Sequence, residues 1–556
     1  MTKKSLFDKT DCFFLIIAVL ILWQLLLPGY VLTLDMIFTP EMKVISSAIG
    51  YNNFLPFSYL IYFLNLIIPA WLIQKIILLI LFFCLGYLPF KFLPLPENKT
   101  VRLFSALLYS VNPFVYSRFL AGHWTHLMAY ALLPVFIYYL FLFTKAPSFK
   151  ASLKLFAAIL LISFFSLHFF TMTVMITVVW FFIYAIKYLA TKNFILLKLT
   201  LHNLFFGGLL FLIAGSYWLI PAIIHGQFFE SIFNIKHWQA FAASGHNGIS
   251  TTLNVLSLNG FWGEGHPWAK QFFWPQDYLI FWIAMAIIWL LILIGIIYGF
   301  KNKKSGSAVV FFSILGALSF IFSTGVGETI FKNFNLFFYE HFSFWRGFRD
   351  SQKFSGLLAL SYAVLSGIGL SIVMDWMSKK KLILANYFNS AILMVPVLFG
   401  FLLWGGFRNQ VQAVRYPEAW YQAKEIIQAD ESDYKVLFLP WHGYLSLNFN
   451  NNLLIANPAG RFFGEKSIVS KSVEIKEIYD QELSPNYINL DKFINNDLNL
   501  SIAETINFLI AQNIKYIVYF QDLRGADSLR YEFLSSDKLK ELINEKELIM
   551  FSLSGN

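Results

Sequence analysis

The first hydrophobic stretch of the chain, residues 12–30, reads CFFLIIAVLILWQLLLPGY, and VLTLDMIFTPE at residues 31–41 follows it directly. The first stretch is long enough to cross a bilayer, because a membrane helix needs about 20 predominantly apolar residues. The second stretch contains Asp35 at the expected edge of the bilayer and ends with Glu41, six positions further on. A charge at that level is costly unless it is solvated or paired. Asp35 therefore either ends a helix in interfacial water or belongs to a functional site.

The composition is that of a polytopic membrane protein. Of the 556 residues, 58% are hydrophobic and only 13% are charged, whereas about a quarter of the residues in a soluble globular protein are charged. The net charge of +10 does not indicate a nucleic-acid partner, because most lysines lie between hydrophobic stretches, where they set orientation. Cys12 and Cys84 both lie in apolar stretches and predict neither a disulfide framework nor a metal motif.

The apolar stretches predict about eleven membrane spans. Their approximate ranges are 12–30, 71–90, 103–117, 127–144, 153–168, 170–187, 199–219, 277–300, 306–323, 355–376 and 384–405.

Basic residues alternate between successive loops and predict the orientation of the spans. The lysine-rich side carries Lys3, Lys4, Lys9, Lys91, Lys99, Arg102, Lys145, Lys150, Lys154, Lys187, Lys192, Lys198, Lys301, Lys303, Lys304 and Lys379–Lys381. The positive-inside rule puts this side, with an uncleaved N-terminus, in the cytoplasm. The loops 31–70, 118–126, 220–276 and 324–354, and the C-terminal part of the chain, are then extracytoplasmic.

The sequence divides into a membrane domain, residues 1–407, and a C-terminal domain, residues 408–556, in which charge density rises and apolar stretches shorten. Helices are predicted at Pro417–Gln428, Ile502–Gln512 and Lys538–Ile543, and strands at Lys435–Pro440, Tyr516–Phe520 and Leu548–Leu553. This alternation indicates a small extracytoplasmic α/β domain. It contains no glycine-rich phosphate loop, no paired Cys/His spacing and no nucleophile elbow.

Arginine is scarce before residue 407, where only Arg102, Arg118, Arg346 and Arg349 occur. The last three fall in the predicted outer loops, on the side where positive charge is normally rare. A guanidinium is a planar fork that binds phosphate oxygens in pairs. These arginines therefore predict an anionic partner at the outer boundary, although Arg118 also fits an interfacial anchor whose charged end reaches water.

If residues 344–354 are helical, Arg346, Arg349 and Lys353 fall at i, i+3 and i+7 on one face, where they form a candidate phosphate site. The structural alternative is a local balance between Arg349 and Asp350 at a helix end.

Aromatic and titratable residues lie together in two of the outer loops. Trp262, Glu264 and His266 occur in GFWGEGHPW, and His123 follows Arg118 in SRFLAGHW. Aromatic faces stack on the apolar faces of sugars, and polar groups bind their hydroxyls, so these four residues are candidate substrate contacts. Glu264 and His266 also fit a second acid/base pair, and the whole loop also fits an ordinary interfacial aromatic segment.

Taken together, an Asp in the first outer loop, NPFVYSRFLAGHW at 112–124 with ALLP at 131–134, GSYWLIP at 215–221 and FRDSQKF at 348–354 resemble the integral-membrane GT-C glycosyltransferases. Within that class, the chain is similar to bacterial arabinofuranosyltransferase-like multi-spanning proteins. The resemblance covers the membrane part of the chain and, more loosely, its C-terminal part.

The resemblance implies a sugar donor carried on a polyprenyl phosphate, with transfer on the outer face of the cell membrane. It implies that Asp35 is the catalytic base and that Arg118, Arg346, Arg349 and Lys353 lie near the lipid phosphate. Many GT-C members have two acidic residues in the first loop, whereas here Asp35 is followed only by Glu41. No organic cofactor is expected, and a requirement for a divalent metal stays open.

The sequence thus predicts a multi-pass membrane glycosyltransferase with a lipid-linked sugar donor and a glycan, lipid or protein acceptor. A transporter or flippase of a lipid-linked anion is the first alternative, but it predicts polar residues in mid-span, and the spans contain almost none. A non-catalytic assembly protein is the second alternative, and it predicts tolerance to the loss of Asp35. The enzyme hypothesis predicts that Asp35 and the outer arginines converge.

Overall fold

The computed structural model of the chain describes residues 9–44, 51–224, 234–301, 305–380, 385–470, 472–475, 478–480, 485–494, 500–523 and 532–553. Lys3, Lys4, Lys303, Lys304 and Lys381, which were used to predict orientation, lie outside the described residues.

The first part of the chain is helical. Its α-helices are α1 Lys9–Leu22, α2 Leu55–Asn65, α3 Ala70–Phe92, α4 Lys99–Ser110, α5 Pro113–Leu120, α6 Trp124–Lys145, α7 Phe149–Phe165, α8 Leu167–Ala190, α9 Phe194–Ile224, α10 Ile235–Ala240, α11 Thr251–Leu256, α12 Leu279–Gly299, α13 Gly306–Ser323, α14 Lys332–His341, α15 Ser355–Lys379, α16 Ala385–Phe399 and α17 Trp404–Arg408. Short 3₁₀ helices lie at Trp23–Leu26, Trp262–Gly265, Pro267–Gln271, Pro275–Asp277, Ser343–Phe348, Ser351–Phe354 and Phe401–Leu403.

The C-terminal part mixes helices and strands. The α-helices are α18 Glu418–Ala429, α19 Ala459–Phe463, α20 Pro485–Ile494 and α21 Ile502–Ala511. The strands are β1 Tyr30–Val31, β2 Ala413–Val414, β3 Lys435–Leu439, β4 Tyr444–Ser446, β5 Leu454–Ala456, β6 Ser467–Ile468, β7 Val473–Ile475, β8 Ile478–Asp480, β9 Ile514–Phe520, β10 Leu539–Asn544 and β11 Leu548–Leu553. Further 3₁₀ helices are Asn448–Asn450 and Glu532–Ser535.

The apolar helices make the chain a multi-pass membrane protein. In the described residues, eight helices are long and apolar enough to cross a bilayer, or nine if the pair Tyr387–Phe399 and Phe401–Arg408, bent by 68°, is one span. The predicted span 103–117 is wrong, because α4 ends at Ser110 and α5 begins at Pro113. Asn112 causes the break, since its side chain accepts from the Val115 N–H and donates to the Leu108 and Tyr109 carbonyls. The predicted span 153–168 corresponds to α7, which has 17 residues.

The chain forms two compact units. The larger unit comprises Met1–Trp23, Val44–Ile61 and Ile76–Gln410, and the smaller unit comprises Gln24–Lys43, Tyr62–Lys75 and Val411–Asn556. The first outer loop, which carries Asp35, therefore belongs to the same unit as the C-terminal part of the chain.

In the larger unit, α15 is the most buried of the long helices. It packs closely on α12 because both helices present glycine at the crossing. A Cβ on Gly369 would lie 1.9 Å from the Leu291 carbonyl oxygen, and a Cβ on Gly295 would lie 2.2 Å from that of Leu365. Small residues that let two backbones approach are typical of helix packing inside membranes.

The smaller unit is built on a five-stranded sheet in the order β10-β11-β9-β3-β6. The β9–β3 and β3–β6 pairs are parallel, and the two pairs formed by β11 are antiparallel. Helices α20 and α21 cover an apolar face of this sheet through a core that includes Leu437, Leu490, Ile506, Ile517 and Phe551. The prediction of a small α/β domain is thus confirmed at the level of fold. The helix predicted at Lys538–Ile543 is wrong, because Leu539–Asn544 pairs as β10 with β11.

Candidate active site

Asp35 lies at the tip of a tight turn. The turn spans Thr33 to Met36, with the Met36 N–H donating to the Thr33 carbonyl at 2.8 Å and the Thr33 N–H to the Met36 carbonyl at 3.4 Å. Apolar side chains on both sides of the turn are buried, and Asp35 alone between residues 31 and 39 is exposed. The hydrophobic pattern of the segment therefore anchors the turn and leaves its one carboxylate at the surface.

The strand before the turn is fixed at its main chain. Tyr30 and Val31 pair antiparallel with Val414 and Ala413. The buried side-chain amide of Gln74 accepts from the Val31 N–H at 2.9 Å and donates to the Val31 carbonyl at 2.8 Å. Gln74 thus acts as a further β-strand partner for one residue, and it explains why a polar side chain lies inside the helix α3.

Tyr444 is a side-chain partner of Asp35. Its phenolic O–H donates to Asp35 Oδ1 at 2.9 Å. Tyr444 is the first residue of β4, which pairs with β5 in an antiparallel hairpin. A carboxylate held by a hydroxyl donor at the tip of a rigid turn has a fixed direction, as a general base requires. Sequence reasoning did not identify Tyr444, since the two residues lie 409 positions apart.

The larger unit contains a separate buried polar cluster around Arg118. Its guanidinium is fully buried and forms a bidentate ion pair with Asp350, Nη1 to Oδ2 and Nη2 to Oδ1 at 2.9 Å. Nη2 also donates to Gln352 Oε1, and Nη1 lies 3.2 Å from His123 Nδ1. The fork that the sequence assigned to a lipid phosphate is therefore occupied by a carboxylate of the protein.

Lys353 extends this cluster. Its Nζ lies 3.9 Å from Asp350 Oδ2 and 3.1 Å from His168 Nε2. Burial alone raises the pKa of Asp350, but the charges of Arg118 and Lys353 outweigh it and hold that pKa well below its ordinary value. Asp350 is thus an anion that fixes two cations.

The helix predicted over residues 344–354 is wrong. Two 3₁₀ helices, Ser343–Phe348 and Ser351–Phe354, are separated at Arg349 and Asp350, and Asp350 has a non-helical ψ of 80°. Turning Asp350 inward toward Arg118 is incompatible with one continuous helix. The Arg346 Nε donates to the Tyr339 carbonyl at 3.3 Å, and the Arg349 guanidinium lies 4.4 Å from the centroid of the Phe241 ring. Both arginines are half-buried.

Glu264 closes the aromatic loop of the larger unit. Its two oxygens accept from four donors: the Gly260 and Phe261 N–H groups at 2.8 and 3.1 Å, and the Asn254 and Gln276 amides at 2.8 and 3.0 Å. Burial raises the pKa of Glu264 to about 7, although these hydrogen bonds oppose the shift. Because both oxygens are engaged, the geometry favours a role in holding the loop.

The other two residues predicted in this loop lie next to Glu264. Trp262 is buried and packs edge-to-face on Phe241, with ring centroids 4.9 Å apart. The His266 side chain accepts from the Trp268 N–H at 3.3 Å. Phe261, the neighbour of Trp262, lies 4.8 Å below the Arg118 guanidinium, so this loop and the Arg118 cluster are in contact. Among the described residues, no group of three or more His, Cys, Asp or Glu side chains is arranged to hold a metal ion.

The chain has a GT-C-like fold. A solved structure of the arabinofuranosyltransferase AftD from Mycobacteria matches 100% of this chain with a TM-score of 0.65 and 13% sequence identity. The chain corresponds to only 40% of the length of that protein. The archaeal oligosaccharyltransferase AglB from Archaeoglobus fulgidus matches 92% of this chain and 69% of its own, with 13% identity and a TM-score of 0.43. No protein-family model and no curated protein sequence matches the chain.

Proposed function

We propose that this protein is a membrane glycosyltransferase that moves a sugar from a polyprenyl-phosphate donor to a hydroxyl group of an extracytoplasmic acceptor, with Asp35 as the general base. The observation that carries the proposal is the exposed Asp35 carboxylate, held at the tip of a rigid turn within a GT-C-like fold. A surface carboxylate held by a fixed main chain can accept a proton from an acceptor hydroxyl that binds beside it, which supports the proposal.

The chemistry is a single displacement at the anomeric carbon of the donor sugar. The acceptor oxygen attacks that carbon while its proton passes to the Asp35 carboxylate, and a new glycosidic C–O bond forms. The bond between the anomeric carbon and the phosphate oxygen breaks, and its electron pair leaves with the polyprenyl phosphate. No nucleotide takes part, which agrees with the absence of nucleotide-binding motifs from the sequence.

Arg346, Arg349 and Lys353 are the proposed contacts to the donor phosphate. Negative charge develops on the leaving phosphate, and fixed cations stabilise the transition state more than the ground state. Arg118 has a different role in this proposal, since its fork is engaged by Asp350. It fixes the segment that carries the other three cations.

The experiment uses the full chain in lipid nanodiscs with undecaprenyl-phosphate-linked mannose, glucose and arabinofuranose, each with octyl glycosides as acceptors. Mass spectrometry measures the undecaprenyl phosphate released and the glycosylated acceptor. We expect Asp35→Asn to lower kcat by about 10²- to 10⁴-fold, which is the usual contribution of a general base. Asp433→Asn is the matched control, because Asp433 is an exposed aspartate of the same unit and lies outside the turn.

Two results count against the proposal. Transfer by Asp35→Asn at the wild-type rate removes Asp35 from the chemistry. Failure of the folded wild-type protein to release undecaprenyl phosphate from every donor tested argues against a lipid-phosphate donor.

A further inference from the structure

The C-terminal part of the smaller unit contacts the main chain on both sides of Asp35. Directly before Asp35, within the turn, the Leu34 carbonyl accepts from the Ala456 N–H at 2.7 Å. After the turn, the Ile37 carbonyl accepts from Arg461 Nη1 at 2.7 Å, and the Phe38 carbonyl accepts from the Tyr416 O–H at 2.9 Å. Each donor belongs to residues 411–556, and each acceptor to residues 24–43.

These contacts lie within three positions of Asp35. Leu34 precedes Asp35 directly, and Ile37 follows it by two positions. Tyr444, which donates to the carboxylate itself, pairs in the hairpin with Ala456, which donates to Leu34. One hairpin therefore holds both the side chain of Asp35 and the main chain next to it.

Arg461 contributes charge as well as a hydrogen bond. Its guanidinium donates to Ile37 and also interacts electrostatically with the Asp35 carboxylate. Arg461 thus fixes the turn through the main chain and places a guanidinium near its carboxylate.

We propose that the segment Tyr444–Arg461 belongs to the catalytic apparatus, and that Tyr444 and Arg461 are positioning residues for Asp35. This inference rests on the proposed function, in which Asp35 is the base. It assigns the C-terminal part of the chain a task in catalysis itself, because a base that is displaced by about 1 Å loses on the order of 10²-fold in rate.

A positioning role and a purely structural role of Tyr444 and Arg461 predict different results when these residues are replaced. A purely structural contact supports the fold of the unit, so its loss lowers stability and leaves the rate of the folded enzyme unchanged. A positioning contact lowers kcat while the affinity for the donor is kept, because the donor contacts proposed above lie on Arg346, Arg349 and Lys353.

The experiment compares Tyr444→Phe and Arg461→Met with two matched controls from the same unit. Tyr421→Phe removes the hydroxyl of a tyrosine whose ring packs on Phe462, and Arg415→Met removes an exposed guanidinium. Hydrogen–deuterium exchange of the full chain in nanodiscs reports the protection of the amides of residues 31–38 without any substrate. Kinetics with the undecaprenyl-phosphate-linked sugars give kcat and KM separately.

We expect each positioning variant to exchange these amides about 10-fold faster, and to lower kcat by about 10- to 100-fold with KM within about 3-fold of wild type. We expect the two controls to match the wild type in both measurements. Unchanged exchange in both positioning variants overturns the proposal, and so does faster exchange with unchanged kcat.

The two proposals fail in different ways. If Asp35→Asn is fully active, the proposed base is wrong, and the exchange experiment still shows whether the C-terminal segment holds the turn. If Asp35→Asn is inactive while Tyr444→Phe and Arg461→Met keep the wild-type kcat, the base stands and the positioning role is overturned.

Discussion

Arg118 and Asp350 lie 232 positions apart in the sequence and form a buried bidentate ion pair in the larger unit. Their side chains are 0% and 6% exposed. The pair connects the last turn of α5 to the break between two 3₁₀ helices, in the segment that contains Arg346, Arg349 and Lys353. The candidate phosphate contacts are therefore held by a contact that is itself inaccessible to a ligand.

Removing one partner of this pair is expected to destabilise the protein strongly. Asp350→Asn leaves the Arg118 charge buried without a counter-charge, which typically costs about 3–5 kcal/mol. The free energy of unfolding in detergent, followed by tryptophan fluorescence, measures the loss. The double variant Arg118→Leu with Asp350→Leu is expected to recover much of it, because neither charge is then buried.

The surface pair Lys332–Glu328 supplies the control for the buried pair. Its side chains are 40% and 87% exposed, so Lys332→Met is expected to cost about 0–1 kcal/mol. A loss in Asp350→Asn no larger than that of Lys332→Met contradicts the prediction.

Glu264 makes the stability of the larger unit depend on pH. Its pKa is raised from 4.5 to about 7 in the folded protein, so between these values the folded state keeps a proton that the unfolded chain has released. The free energy of unfolding therefore falls as the pH rises from about 4.5 to about 7, by on the order of 3 kcal/mol in total. Above that range, Glu264 causes no further change.

Other carboxylates titrate in the same range, so the quantity to measure is the difference between the wild type and Glu264→Gln. We expect the variant to lose the part of the pH dependence between about pH 4.5 and 7 that belongs to Glu264. We also expect the variant to be less stable at all pH values. The Glu264 oxygens accept four hydrogen bonds from N–H groups, whereas a glutamine would direct its own NH₂ group at some of these donors. Parallel pH profiles for the two proteins rule out this role.

The candidate residues themselves were accessible from sequence, whereas their partners were not. Asp35 stood out as a lone carboxylate after a span, and Arg118 as a guanidinium on the side where such charges are rare. For Asp350 the sequence offered only its neighbour Arg349 as a partner, because local sequence shows only local partners. Tyr444 carries no signal in sequence, since a tyrosine at the start of a short strand is common in any sheet.

Several features of the fold that depend on local sequence were likewise predicted correctly, whereas some that depend on distant partners were not. Spans of high hydropathy were predicted because burial in a bilayer requires a long apolar helix whatever packs around it. The strand Leu539–Asn544 was predicted as a helix, because pairing with Leu548–Leu553 outweighs its local preference. The break at Asn112 follows from a capping side chain, and the pair Asn112–Pro113 is a sequence signal for the start of a helix. The span 103–117 was nevertheless predicted across it, because the residues on both sides are apolar.

Arg349 provides a test of the donor contact that avoids the buried ion pair. Its guanidinium is half-buried over the Phe241 ring, outside the bidentate contact of Arg118 with Asp350. We expect Arg349→Gln to raise KM for the undecaprenyl-phosphate-linked sugar by about 10-fold and to weaken inhibition by free undecaprenyl phosphate to a similar degree, as the loss of a charged hydrogen bond does. Unchanged inhibition by the free phosphate shows that Arg349 lies away from the donor.

The strand that leads into the Asp35 turn requires glycine at position 29. The φ of Gly29 is +125°, and a Cβ there would lie 2.7 Å from the Val414 carbonyl oxygen, at the pairing of β1 with β2. Gly29→Ala therefore combines a strained dihedral with a clash against main chain, and we expect a loss of about 3 kcal/mol or more.

Gly248 separates these two costs, because its φ is +83° and no atom lies within 4 Å of the position of its Cβ. Gly248→Ala is expected to lose only about 1 kcal/mol, from the dihedral alone. The β1–β2 pair ends four residues before Asp35, so Gly29→Ala is also expected to lower kcat, and Gly248→Ala is not. Equal losses of stability in the two variants would show that β1 can move away from Val414 at no cost. A wild-type kcat in Gly29→Ala would show that the direction of the Asp35 side chain does not depend on the β1–β2 pairing.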